Sequence, residues 1–199
     1  MLFDALIITT LFALFGISHS VLASHKVKLN IAQKLNDKIA FYRLFYNLFS
    51  FISLSFIYIV SPKPDYIVYD LLFPYDITIV VLQIFSGIAL IWTTKFINMK
   101  EFLGISQIQR FFQKQYNDKD LDEKLELRIE GPFKYSRHPI YLFSSLVLLL
   151  RPTMDFFYII FLVNILLYFY IGSIYEEKKL VAIFGSEYSD YQNTVPKIF

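Results

Sequence analysis

The chain has 199 residues, of which 56% are hydrophobic, 19% aromatic and only 18% charged. Soluble domains average about 45–50% apolar and about 25% charged residues, so the excess apolar surface is expected to face lipid. Nineteen Lys and Arg against 17 Asp and Glu leave a net charge of +2, a balance that excludes a typical basic nucleic-acid-binding protein.

Five apolar stretches are predicted to be membrane-spanning helices, because a bilayer core about 30 Å thick needs about 20 residues per helix. In chain order they are Leu6–Ala23, Leu44–Val60, Ile77–Thr93, Pro139–Leu150 and Phe156–Tyr175. The fourth has only 12 residues before Arg151 and Pro152, so it is expected to be short, tilted or continued through a kink. The expected fold is an all-α polytopic transmembrane helical bundle forming a single domain over residues 1–199.

Lys and Arg are distributed unevenly between alternate loops. The first loop, the third loop and the segment after the fifth span hold 17 of them, whereas only Lys63 and Arg151 lie on the other side. The positive-inside rule therefore predicts an N-terminus outside and a C-terminus in the cytosol. Within the third loop, the strongly polar run 117–130 is expected to be a solvated loop or a surface helix.

The lack of cysteine and of closely spaced glycines excludes several kinds of catalytic and cofactor-binding site. The chain has no cysteine, which excludes disulfides, thiolate zinc sites, iron–sulfur clusters and a cysteine nucleophile. Its six glycines lie at least 13 residues apart, so neither a GxGxxG turn nor a P-loop is present. A nucleotide-like cofactor would have to bind by other means.

All three histidines, His19, His25 and His138, fall near one predicted membrane face. Two facing imidazoles are able to hold haem or a metal ion. The alternative is that His19 bonds to a neighbouring helix and His25 is solvated. Because no HxxxH-type spacing is present, no metal site is predicted.

The densest group of polar and aromatic residues is GPFKYSRHPIY, residues 131–141. Pro139 suits the first position of a helix, where its missing N–H costs nothing, so Arg137 and His138 directly precede a helix N-terminus. Exposed N–H groups and the helix dipole favour an anion there, and Arg137 adds a planar donor fork. The alternative is that these residues anchor a helix end among lipid headgroups.

Glu176 and Glu177 lie at the C-terminal end of the fifth span. Carboxylates at that end oppose the helix dipole, so helix stability does not account for them. If the fourth and fifth spans form an antiparallel hairpin, the two carboxylates return to the same face as Arg137 and His138. The alternative is an exposed EEKK run whose surface ion pairs contribute little.

These patterns together resemble the integral-membrane methyltransferase family that includes isoprenylcysteine carboxyl methyltransferase and phospholipid methyltransferases. The resemblance covers residues 131–196 in order and spacing, from GPFKYSRHPIY through EE to FGSEYSDYQ. Weaker likeness in the first half is to the bacterial branch that contains methanethiol S-methyltransferase and membrane proteins named for nitrite and nitric oxide reduction. It is carried by short motifs: His19-Ser20, Leu22-Ala23-Ser24, Tyr42-Arg43, Tyr46-Asn47 and Glu101-Phe102-Leu103-Gly104.

The resemblance implies that residues 131–196 bind S-adenosylmethionine at a cytosolic site. The implied cofactor-binding residues are Arg137, His138, Pro139, Tyr141, Glu176, Glu177, Tyr188 and Tyr191. The cofactor's carboxylate is expected near Arg137, His138 and the Tyr141 backbone, and its ammonium or ribose hydroxyls near Glu176 or Glu177. Adjacent helix residues point about 100° apart, so the other carboxylate is expected to hold Arg137 or the C-terminal segment. Tyr188 and Tyr191 are expected either to cover the adenine or to anchor the interface.

The implied acceptor is a small hydrophobic or lipid-borne molecule, with a thiol favoured. The implied location is the bacterial inner (cytoplasmic) membrane, where the protein contacts membrane lipids. Arg43 and His19 are the candidate catalytic residues, because a nearby cation lowers the pKa of a thiol. Arg43 equally suits a simple positive-inside anchor. Two alternatives remain open at this point: a membrane redox protein, NADPH-dependent or haem-linked, and a non-catalytic scaffold on the same fold.

Overall fold

The computed structural model describes residues 1–117, 121 and 126–198. It is almost entirely helical. The helices are α1 Leu2–Ala23, α2 His25–Leu35, α3 Tyr42–Val60, α4 Tyr75–Thr94, α5 Met99–Leu103, α6 Ile105–Phe112, α7 Pro139–Leu149, α8 Phe156–Phe184 and α9 Ser186–Thr194. Short 3-10 turns cover Asn36–Phe41 and Gly131–Lys134, and the strands are β1 Ile67–Asp70 and β2 Thr153–Asp155.

Four helical stretches in the described residues are long and apolar enough to cross a membrane. They are Leu2–Ala23, His25–Val60, Tyr75–Thr94 and Phe156–Phe184. Many of their large apolar side chains, such as Ile84 and Phe85 on α4, are exposed in the isolated chain, as lipid-facing side chains are. The prediction of an all-α transmembrane fold is therefore confirmed.

The predicted fourth span is the short helix α7, with 11 residues. Arg151 precedes Pro152, and the proline ring sterically disfavours a helical backbone conformation in the residue before it. Residues 153–155 then form β2, which pairs antiparallel with β1. Continuation of this span through a kink is therefore wrong, and the strand pair is an element that the sequence reasoning missed.

The first loop is more helical than expected. Ser24 caps α2, its Oγ accepting a hydrogen bond from the Val27 N–H at 3.4 Å, and a 3-10 turn leads from α2 into α3. In the third loop, the described residues include α5 and α6. Half of the polar run expected over residues 117–130, namely 118–120 and 122–125, lies outside the described residues.

The chain divides into two compact units. One comprises Met1–Ala5, Pro62–Phe96 and Glu126–Phe199; the other comprises Leu6–Ser61 and Ile97–Leu125. We call these the hairpin unit and the amino-terminal unit. The hairpin unit contains the whole of residues 131–196, the predicted cofactor-binding half.

Within the hairpin unit, α4 packs along α7, and Gln83 Nε2 on α4 donates to the Val147 carbonyl at 2.8 Å. Asp155 caps α8 by accepting a hydrogen bond from the Tyr158 N–H at 2.8 Å. The buried core of the hairpin unit includes Met154, Phe157, Tyr158, Phe161, Leu162 and Ile165. The connection between α7 and α8 therefore rests on a packed core, which fixes the register of the two helices that carry the candidate site.

Candidate functional site

The hairpin of α7 and α8 brings the two polar motifs into contact. Arg137 Nε donates to Glu177 Oε1 at 2.7 Å. The His138 ring lies between both carboxylates, with Nε2 3.3 Å from Glu177 Oε1 and Nδ1 3.3 Å from Glu176 Oε2. The expectation that an antiparallel pair unites these residues is confirmed, and we call Arg137, His138, Glu176 and Glu177 the hairpin cluster. The two carboxylates lie within α8, which continues to Phe184, so their predicted place at the C-terminal end of that helix is wrong.

Glu177 is the centre of this cluster. Its side chain is only 9% exposed. Besides Arg137, it contacts Gln192, whose Nε2 donates to Oε2 at 3.2 Å, and Lys197, whose Nζ lies 3.5 Å from Oε2. One of the two carboxylates was expected to hold Arg137 or the C-terminal segment, and Glu177 holds both.

The C-terminal tail, residues 186–198, is joined to the segment before α7 by several hydrogen bonds. Arg137 Nη1 donates to the carbonyls of Gln192 at 2.8 Å and Val195 at 2.6 Å. The backbone N–H of Arg137 donates to the Pro196 carbonyl at 3.0 Å, and that of His138 to the Lys197 carbonyl at 3.1 Å. Tail carbonyls thus take the donors that sequence reasoning had assigned to an anion, and direct binding of a cofactor carboxylate by Arg137 stays a prediction.

Glu176 differs from its neighbour in being exposed, at 53% of its side chain. Its position is nevertheless fixed, because Tyr141 Oη donates to Oε1 at 2.7 Å. The Tyr141 ring in turn stacks on His138, with centroids 5.3 Å apart, and on Phe169, with centroids 4.7 Å apart. The structure therefore presents one oriented carboxylate at the surface of the cluster. Pro139, the first residue of α7, is fully buried.

Tyr188 and Tyr191 are buried in the hairpin unit, at 1% and 8% exposure. Tyr191 Oη donates to the Phe133 carbonyl, and burial raises the pKa of Tyr191 to about 12. Burial, reinforced by the Glu177 charge, also raises the pKa of Tyr188. Both rings pack within the hairpin unit, and the two expected roles, beside the adenine or at the interface, stay predictions.

The candidate catalytic residue His19 lies in the amino-terminal unit. Its Nδ1 is 2.8 Å from Ser50 Oγ, and its Nε2 is hydrogen-bonded to Tyr46 Oη. Both partners belong to α3, so His19 joins α1 to a neighbouring helix, as one of the two alternatives expected.

Arg43 joins α3 to α5 in the same unit. Its Nε donates to the Phe102 carbonyl at 3.0 Å, and Asn47 Nδ2 donates to the same oxygen at 2.9 Å. Gly104 has a left-handed φ of 89°, and a Cβ there would lie 2.7 Å from the Leu44 nitrogen. Three of the short motifs of weaker likeness in the first half, Tyr42-Arg43, Tyr46-Asn47 and Glu101-Phe102-Leu103-Gly104, therefore meet at one contact between α3 and the turn after α5.

Several residues of these networks were not predicted. They are Ser136, whose Oγ donates to the Lys197 carbonyl, and Gln192 and Lys197, whose side chains contact Glu177. The folding of the tail brings these residues to the cluster, and residue type and spacing do not encode that folding. In the amino-terminal unit, buried Glu101 accepts hydrogen bonds from both Arg110 and Gln107. The strong amphipathic pattern of α6 was the available signal for that packing.

The comparisons with known proteins agree with these motifs. A family model described as phospholipid methyltransferase matches residues 82–187, more than half of the chain. Methanethiol S-methyltransferase 1 of Bradyrhizobium diazoefficiens is 28% identical over 96% of this chain and 66% of its own length. Methanethiol S-methyltransferase of Crocosphaera subtropica is 26% identical over 94% of this chain and 71% of its own length. This chain thus spans about two thirds of the length of these two curated relatives. No solved structure matches it.

Proposed function

We propose that this chain, which belongs to the phospholipid methyltransferase family, is a membrane methyltransferase that transfers a methyl group from S-adenosylmethionine to a small hydrophobic thiol. The observation that carries the proposal is the hairpin cluster, in which an exposed, oriented Glu176 lies beside a buried Arg137–Glu177 pair. We further propose that the chain lies in the bacterial inner membrane with the cluster facing the cytosol, as the Lys and Arg distribution indicates.

The chemistry of the cluster fits this cofactor. The amino-acid portion of S-adenosylmethionine carries one ammonium and one carboxylate, and its ribose carries two hydroxyls. Glu176 is an exposed acceptor held in place by Tyr141, which suits the ammonium or the hydroxyls. When bound, the cofactor supplies a methyl group made electrophilic by its sulfonium.

Methyl transfer by in-line displacement needs little acid–base assistance, so the protein's contribution is positioning and the exclusion of water. Glu177 and Arg137 hold the tail against the start of α7, while Tyr141 orients Glu176. For a thiol acceptor, we propose that Arg43 or His19 favours the thiolate, since a cation nearby stabilises the charged form. Both residues also make the helix contacts described above.

The names of the two relatives that match most of this chain support a thiol as acceptor, whereas the name of the family points to a phospholipid amine. A prenylated cysteine is a third choice. An acceptor soluble in the bilayer suits a membrane-embedded enzyme, because it reaches the protein laterally while the charged cofactor arrives from water.

Isothermal titration calorimetry of the purified chain with S-adenosylmethionine and with its demethylated product tests the cofactor. We expect both to bind; binding of neither refutes cofactor use. A second assay offers methanethiol, a prenylcysteine and phosphatidylethanolamine separately and follows demethylated cofactor and volatile sulfide. Turnover with only the amine or only the prenylcysteine refutes the thiol and leaves methyl transfer standing.

A further inference from the structure

The hairpin cluster lacks an obvious group for the cofactor's carboxylate. The Arg137 side chain is only 10% exposed and donates to Glu177, Gln192 and Val195. The N–H groups of residues 137 and 138 donate to tail carbonyls. A ligand anion at the surface of the cluster therefore needs a different cation.

Lys197 meets this requirement. Its carbonyl accepts hydrogen bonds from the His138 N–H and from Ser136 Oγ, each at 3.1 Å, which fixes its backbone against the motif. Its side chain is 28% exposed, with Nζ 3.5 Å from Glu177 Oε2 and 5.6 Å from the centroid of the Tyr170 ring. An ammonium carries three N–H donors, so the contact with Glu177 leaves donors for a ligand.

Glu177 does not depend on Lys197 for compensation. Its Oε1 accepts the charged hydrogen bond from Arg137, and its Oε2 accepts one from Gln192 at 3.2 Å. The cluster together with Lys197 holds two carboxylates against two cations, Arg137 and Lys197. An amino-acid group that brings one positive and one negative charge preserves that balance, with its ammonium toward Glu176 and its carboxylate toward a cation.

We propose that Lys197 is a cofactor-binding residue whose ammonium binds the carboxylate of the S-adenosylmethionine amino-acid portion. This inference rests on the proposed function. It assigns to the tail a direct contact with the ligand in addition to its contacts with Ser136, Arg137 and His138.

The test compares two ligands that differ at this carboxylate: S-adenosylmethionine and its decarboxylated form. Calorimetry is run on the wild type, on Lys197→Gln and on the control Lys178→Gln, whose exposed ammonium lies near the Tyr175 ring instead. We expect Lys197→Gln to weaken S-adenosylmethionine binding about tenfold or more, the size of a charge-assisted hydrogen bond, and to change binding of the decarboxylated ligand less than about twofold. Lys178→Gln is expected to change neither, and Lys197→Arg to restore part of the loss.

Equal losses for both ligands would overturn the inference, because Lys197 would then act through the fold of the tail. Unchanged binding of both by Lys197→Gln overturns it as well. Failure of the wild type to bind either ligand refutes the proposed cofactor itself, which separates that failure from a failure of the Lys197 assignment.

Discussion

Glu176 and Glu177 are neighbours in the sequence with different surroundings. Glu177 is buried among Arg137, Gln192 and Lys197, whereas Glu176 is exposed and held by Tyr141. One residue thus serves the fold of the site, and the other is available to a ligand.

Substituting the two carboxylates separately tests this division. Glu177→Gln is expected to lower the free energy of unfolding by about 3 kcal/mol, because it leaves the buried Arg137 without its counter-charge. Glu176→Gln is expected to cost less than about 1 kcal/mol of stability, as exposed pairs do, and to weaken S-adenosylmethionine binding about tenfold. Thermal unfolding in detergent and calorimetry measure the two effects, and identical behaviour of the two variants contradicts the assignment.

The raised pKa of Tyr191 predicts that the free energy of unfolding falls at alkaline pH. Its pKa is raised by burial to about 12, above the value of about 10 for an exposed tyrosine. Between these two values the folded state keeps the phenol proton while the unfolded state loses it. The contribution of Tyr191 to the free energy of unfolding is therefore complete below about pH 10 and is lost as pH rises toward 12.

The measurement is the free energy of unfolding between pH 8 and 11, compared with Tyr191→Phe. The variant lacks the hydrogen bond to the Phe133 carbonyl and is expected to be less stable at pH 8 and to lose less stability on alkalinisation. The remaining tyrosines are shared by both proteins, so the difference isolates Tyr191. Parallel curves would contradict the prediction.

The sequence identified the four residues of the hairpin cluster but not the hydrogen bonds that they make. Arg137, His138, Glu176 and Glu177 follow from motif and helix direction, because residue type and spacing encode them. The capture of Arg137 by the carbonyls of Gln192 and Val195 does not follow, since every residue has a carbonyl and only the folded tail brings these two close.

Among the elements, the turn between α5 and α6 has a geometry that depends on a single residue. Gly104 combines a φ of 89° with a close approach to Arg43 and Leu44 of α3. A side chain there is strained by the backbone and blocked by main-chain atoms that cannot move aside.

Gly104→Ala is therefore expected to destabilise the amino-terminal unit by about 1–3 kcal/mol. Gly87→Ala is the matched control, because a Cβ at Gly87 meets nothing within 4 Å. Urea or thermal unfolding of the two variants in detergent gives the comparison. Equal stability of Gly104→Ala and the wild type would show that the α3–α5 contact adapts.

The long elements were predictable and the short ones were not. The span predicted at Ile77–Thr93 differs by at most two residues per end from α4, because a sustained apolar run determines it. The span predicted at Phe156–Tyr175 begins where α8 begins, but α8 continues to Phe184 through polar residues that the apolar pattern does not include. Strands β1 and β2 have only four and three residues, and they pair with each other across a long separation in the chain: the paired residues Asp70 and Thr153 are 83 residues apart. Helix α2 was missed since its Lys-rich sequence was counted for charge and not for periodicity.

At the scale of the whole molecule, the main prediction is its orientation in the membrane. Because the chain has no cysteine, Tyr69→Cys and Asn117→Cys each introduce a unique thiol. In intact cells, an impermeant maleimide is expected to label position 69 and not position 117, since the Lys- and Arg-rich loops belong on the cytosolic side. Labelling of both positions after lysis is the control, and the reverse pattern in intact cells would place the hairpin cluster outside the cytosol.

The hydrogen bonds between the tail and the start of α7 also matter during biosynthesis. Lys197 is added 60 residues after Arg137, which at about 5–20 residues per second is a delay of about 3–12 s. Until then, Arg137 and the N–H of His138 have no tail carbonyls to bind. A nascent chain that has made α7 and α8 but not residues 192–197 would therefore lack these hydrogen bonds, so the proposed ligand site is expected to form only after the tail is synthesised.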